Sequence, residues 1–115
     1  MRALIAALGF VLLAVPAFAE TIQPADAPAH VGQTVTVEGT VDEVNTDPRS
    51  GNTFIDMGGR YPDQAFTAVI FRSDAGSFQD VKSLNGKTVE ITGRVRLHKG
   101  KPEIILNAAS QIKIQ

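Results

Sequence analysis

Residues 86–97, G-K-T-V-E-I-T-G-R-V-R-L, alternate without a miss between an apolar and a polar set. Val89, Ile91, Gly93, Val95 and Leu97 share one parity, and Thr88, Glu90, Thr92, Arg94 and Arg96 share the other. A helix would scatter both sets around its surface, whereas a strand sends successive side chains to opposite faces. The stretch is therefore a half-buried strand, long for its class. Gly93 interrupts its apolar face, where a glycine marks a bend, a bulge or a close backbone approach. The same pattern occurs once before. Residues 32–41 read G-Q-T-V-T-V-E-G-T-V, and Gly32, Thr34, Val35, Gly39 and Val41 match Gly86, Thr88, Val89, Gly93 and Val95. Two long, bent strands of one small closed sheet are expected, with the rest of the chain joining them.

The N-terminus has a different character. Arg2 precedes an apolar run over residues 3–15, and Ala17, Phe18 and Ala19 form an A-x-A motif. This is the pattern of an export leader, and the run is shorter than the roughly 20 apolar residues a spanning helix needs. Cleavage after Ala19 is expected, so residues 1–19 are a signal peptide and residues 20–115 one domain with a single core. The 115-residue chain has no cysteine, hence no disulfide, no lipid-attachment cysteine and no thiolate metal site. A soluble periplasmic or secreted product of bacterial type, not inserted in the membrane after cleavage, is expected. Without Arg2 the chain carries 10 basic and 12 acidic residues, a balance that argues against tight, indiscriminate binding to nucleic acid. The charge is uneven, however: residues 20–86 have a net charge of −6 and residues 87–115 of +4.

Along the chain, residues 20–30 hold Pro24 and Pro28 and form an extended lead-in, with Ile22 as an anchor and a single helical turn near Asp26–His30. His30 is an exposed or capping histidine rather than a ligand. The first strand covers residues 33–44. Val44 falls out of phase with Val41, which an inserted residue near Asp42 and Glu43 would produce. Residues 45–52, N-T-D-P-R-S-G-N, are dense in turn chemistry. Their acids do not have the spacing of a calcium loop. Residues 53–57 form a second strand, 58–64 a loop and 65–72 a third strand. Both parities of residues 66–71 are apolar, so this strand is either covered on both faces or carries a binding surface on the outer one. Residues 73–85 are the helical candidate, with Ser73 or Asp74 as cap, Phe78, Val81 and Leu84 at a spacing of three, and Asn85-Gly86 as stop. Gly76 shortens it. The fourth strand, the turn His98-Lys99-Gly100-Lys101 and a fifth strand over residues 102–107 follow, and Ile112 and Ile114 make a short terminal pairing.

Five strands in an open sheet leave two exposed edges, and closure removes them. The fold class expected is all-β, a five-stranded Greek-key OB-fold barrel with one short helix between strands three and four. At the level of residues, G-K-T-V-E-I-T-G-R-V-R-L-H-K-G-K-P-E-I-I-L-N-A-A-S-Q-I (86–112) resembles the last two strands of OB-fold nucleic-acid-binding domains of the tRNA-anticodon and helicase type. G-N-T-F-I-D-M-G-G-R-Y-P-D-Q-A-F-T-A-V-I-F (51–71) is similar to their second and third strands. The resemblance spans most of residues 20–115 and is specific for fold. It implies a ligand face across strands two and three, flanked by the one–two and four–five loops.

On such a face a single strand needs positive charge for its backbone and aromatic faces for its bases. Arg96 and His98 lie on the outward parity of the fourth strand, Lys99 and Lys101 in the turn, and Arg60 and Tyr61 in the loop after strand two. Phe54 and Phe71 are further platforms. The competing fates are plain: a barrel this small needs Phe54, Phe66 and Phe78 as core, and Glu38 and Asp42 on the neighbouring first strand are expected opposite Arg94 and Arg96. The ligand-binding set is therefore Phe54, Arg60, Tyr61, Phe71, Arg96, His98, Lys99 and Lys101. No cofactor, metal site or catalytic residue is expected: the chain has two histidines, no nucleophile elbow, no phosphate-cradling loop, and Asp56 as a lone strand acid. Two functions fit: a non-enzymatic module for single-stranded DNA or RNA or another anionic polymer, and an envelope stress-tolerance or interaction module with a protein partner or small ligand.

Overall fold

The computed structural model describes residues 19–115, so the expected leader lies outside the described residues, except for Ala19. Seven strands form in chain order: β1 (Glu20–Ile22), β2 (Thr34–Thr46), β3 (Thr53–Met57), β4 (Phe66–Ile70), β5 (Thr88–His98), β6 (Lys101–Leu106) and β7 (Ile112–Ile114). Alternation makes β2 and β5 amphipathic, and each serves two neighbours. Thr34–Thr40 of β2 pair with Arg94–Thr88 of β5, while Val41–Thr46 pair with β3. The register shifts between Val41 and Glu43, the inserted residue that the phase of Val44 had required. From β3 the sheet continues antiparallel to β4, parallel to β6 and antiparallel back to β5. The β2–β5 pairing closes the ring, giving a five-stranded OB barrel. β1 and β7 extend it outside the ring, β1 parallel to β2 through Glu20↔Val35 and β7 antiparallel to β5 through Val89↔Ile114.

Gly39 and Gly93, the glycines inside the two repeated strands, allow close approach rather than turning. A Cβ on Gly93 would collide with Ile104 Cγ2, and one on Gly39 would sit 2.9 Å from the Pro24 ring. The core is the inward parity of the ring, in which Val37, Ile55, Met57, Phe66, Ile91, Val95, Ile104 and Leu106 have no exposed surface. Each such side chain contributes about 1.5–3 kcal/mol by leaving water. A 3₁₀ turn, Pro24–His30, packs on β2, β4 and β6 and inserts Ala27 into the core. His30 closes it, its Nδ1 lying 2.9 Å from Gln33 Oε1.

The helix expected between strands three and four is present as two 3₁₀ turns, Arg72–Ser77 and Val81–Leu84. Ser73, Asp74, Gly76 and Ser77 are poor helix formers. Asp80 adopts a left-handed conformation (φ 52°) and separates the turns. What survives of the amphipathic pattern is its packing: Leu84 is buried, and Phe78 and Val81 rest on the core. A second expectation is corrected by the register. Glu38 lies opposite Glu90 and Arg94 opposite Thr34, so the proposed pairing of Glu38 with Arg94 does not form. Asp42 accepts the Gly59 N–H at 2.7 Å, and Arg96 pairs instead with Glu103.

Candidate functional site

The outer face of β3, β4, β6 and the end of β5 is laid out in rows, because paired strands align their outward residues. One row runs Asn45–Phe54–Val69–Ile105. The next runs Glu43–Asp56–Thr67–Glu103–Arg96. Beyond it, His98 pairs with Lys101 at the start of the four–five turn. The face thus passes from an aromatic and aliphatic row, through a polar row, to a basic rim.

The rim gathers residues from two segments. Lys101 Nζ donates to the carbonyl of Pro62, which ties the turn to the loop carrying Arg60 and Tyr61. Tyr61 is 75% exposed, and Arg60, His98 and Lys99 are exposed with it. Lys99 and Gly100 both have positive φ, 52° and 79°, the backbone of a two-residue hairpin that favours Asn-Gly. Lys99 therefore sits in the left-handed region against its local preference.

The polar row is tightly bonded. Thr67 Oγ1 donates to Asp56 Oδ1 at 2.9 Å and accepts from Gln64 Nε2 at 3.1 Å. Arg96 Nε lies 3.3 Å from Glu103 Oε1. Asp56 is 2% exposed and Glu103 8%. Burial pushes both carboxyls above their ordinary range. For Asp56 the Thr67 hydroxyl opposes the shift and the charge of Glu43 adds to it, while His98 and Arg96 oppose it for Glu103. The Gln64 amide oxygen is buried and has no partner among the described residues.

Of the eight residues expected from the sequence, the fold ties the loop of Arg60 and Tyr61 to the turn of His98, Lys99 and Lys101 at one rim, and sets Arg96 in the polar row against Glu103. Phe54, half-buried, stands in the middle of the face. Phe71, 39% exposed, follows β4 at the opposite end, next to Arg72, whose N–H donates to Asn52 Oδ1. Thr67, Val69, Glu103 and Ile105 were missed as face residues. The outward parity of each strand was readable, but the parallel register that sets Glu103 beside Thr67 was not. The one–two loop is folded on itself: Asp47 accepts from the Arg49 N–H and Ser50 Oγ, which holds its carboxyl below the usual range. Among the described residues no cluster of three His, Cys, Asp or Glu side chains could hold a metal ion. A separate groove of about 800 Å³ beside β1 is lined by Ile22, Pro24, Asp26, Glu38 and Asp42 and by none of the eight.

No family model matches the chain, and no curated protein matches it significantly. Solved structures do. A structure described as OBody AM1L10 bound to hen egg-white lysozyme aligns with TM-score 0.57 and 22% identity, over 84% of this chain and 93% of that one. Asparaginyl-tRNA synthetase from Pyrococcus horikoshii aligns with TM-score 0.55 and 14% identity, over 81% of this chain and 22% of the enzyme. The corresponding enzyme from Entamoeba histolytica aligns with TM-score 0.53 and 21% identity, over 84% of this chain and 23% of its own. The chain therefore spans under a quarter of the length of these synthetases. At such identities the likeness concerns architecture, and it agrees with the strand order: the chain folds as an OB barrel.

Proposed function

We propose that the chain is a non-catalytic OB module that takes single-stranded nucleic acid across the outer face of β3, β4 and β6. The observation that carries this reading is the coupling of the two rim segments, in which Lys101 ties the turn carrying Lys99 to the loop carrying exposed Tyr61 at the edge of the face centred on Phe54. Backbone phosphates would follow the cationic rim, and bases would turn inward, because the Asp56–Glu103 row repels phosphate. Phe54 and Tyr61 would supply stacking, about 1–3 kcal/mol per base. The likeness to two tRNA synthetases supports the reading at the level of fold. With the A-x-A leader, the module would act in the periplasm or outside the cell.

Titration of labelled single-stranded DNA at low and moderate salt tests it. Binding should weaken with salt, with a log–log slope of roughly −0.7 per phosphate contacted. Arg96→Gln, Lys99→Gln and Lys101→Gln together should remove about two units of that slope and most of the affinity. No binding at low salt, or binding indifferent to salt, overturns the reading. The alternative is an envelope module for a protein partner, supported by the lysozyme-bound OBody neighbour and by exposed Tyr61, Phe71 and Leu97. It predicts indifference to nucleic acid and a partner recovered by crosslinking.

A further inference from the structure

The polar row has hydrogen-bonding capacity left over, and nearly all of it is of one kind. Thr67 has spent its hydroxyl proton on Asp56. Arg96 Nε engages one oxygen of Glu103, leaving the other for a ligand. The second oxygen of Asp56 makes no protein hydrogen bond among the described residues. The row therefore offers acceptors where a base edge would lie, one strand position from Phe54. Nucleobases differ in what they present to such a surface. Guanine carries N1–H and the N2 amino group side by side, and both can converge on the one free oxygen of a carboxylate, which has two lone pairs. Cytosine and adenine present one amino group. Thymine and uracil present carbonyls on both sides of a single N–H, and these face the carboxylates with like polarity.

We infer that Asp56 and Glu103 make the face selective among bases, favouring guanine first, then the other amino-bearing bases, and rejecting thymine and uracil. The inference rests on the nucleic-acid reading above and adds the rule by which the site chooses. It also assigns the acids a purpose in a site for an anionic polymer: they exclude the phosphate backbone from the strands and leave the face to base edges.

The experiment compares a twelve-residue oligo(dT) with the same strand carrying one central dG, dC or dA, at one low salt concentration, by fluorescence anisotropy. The dG strand should bind about 5- to 150-fold more tightly than oligo(dT), the range for one good two-bond side chain–base pair. Asp56→Asn and Glu103→Gln should each shrink that ratio while holding or raising affinity for oligo(dT). A merely structural role would lower all four affinities together. Equal binding of all strands by the natural protein overturns the inference and leaves the module reading standing. Absence of binding to every strand overturns both. The comparison among strands needs no variant, so a misfolded substitution does not obscure the result.

Discussion

The contact that lets the barrel close can be tested directly at Gly93. Its Cα faces Val35 across β2, and any Cβ there would press into Ile104 Cγ2 on β6, where real contacts are no shorter than 3.0 Å. Gly93 is not in the left-handed region, so the penalty of Gly93→Ala is steric. Ile104 has no exposed surface and cannot swing into water. Overpacking of this kind costs about 1–3 kcal/mol. For a domain of this size, 1 kcal/mol moves Tm by roughly 4–8 °C, so a fall of roughly 4–24 °C is expected. The cause is separable by a double-mutant cycle. Ile104→Ala alone should cost about 2–5 kcal/mol through its cavity. In that background Cγ2 is gone, and Gly93→Ala should become neutral or stabilising by up to about 1 kcal/mol, since alanine is easier to order than glycine. Urea midpoints of all four proteins, taken in a fixed sulfate concentration that keeps the weakest folded, give the coupling. If Gly93→Ala costs the same in both backgrounds, to within about 0.5 kcal/mol, the glycine is not there for Ile104 and the reasoning fails.

Other outcomes follow from the face. Asp56→Asn should raise Tm at neutral pH, because it removes a carboxylate that burial disfavours while keeping an acceptor for Thr67. With Asp56 and Glu103 raised in the folded state, their contribution favours unfolding above the folded pKa and is relieved as pH falls toward the unfolded value. Thermal melts between pH 7 and 4 should show this part of the pH dependence shrink in Asp56→Asn. Phe54→Ala should weaken single-strand binding by about 1–3 kcal/mol and leave the protein folded, whereas Phe66→Ala, at the core, should cost about 3–5 kcal/mol of stability. Lys99→Asn should stabilise the hairpin by up to about 1 kcal/mol, since asparagine tolerates φ of 52° better, while reducing the salt slope of binding by about 0.7. A melt and a salt titration of the one variant read both effects.

Much of this arrangement was legible in the residues. The alternation in 86–97, the out-of-phase Val44, the strand at 53–57 and the Ile112–Ile114 pairing are local periodicities, and a period of two leaves few ways to bury one face. The candidate aromatics and cations were legible as types on outward parities or in loops. Their grouping was not. Helical spacing in residues 73–85 gave way to two 3₁₀ turns, because Phe78 and Leu84 could reach the core without the helix their neighbours disfavour. The expected Glu38–Arg94 pairing failed because the β2–β5 register sets Glu38 against Glu90.

From sequence alone came the two long amphipathic strands of the five-stranded OB barrel and the list of side chains that could meet a ligand, since alternation and turn chemistry depend on neighbours a few positions away. Tertiary structure alone decided that Glu103 stands beside Thr67, that Arg96 answers Glu103, and that Tyr61 shares a rim with Lys101. The first and last join residues 36 and 40 positions apart, their register set by the stagger with which a five-stranded ring closes, while Arg96 and Glu103 meet across the hairpin whose register the Lys99-Gly100 turn fixes. A shift of two residues would keep every side chain on its own face and still give it different neighbours across the strands.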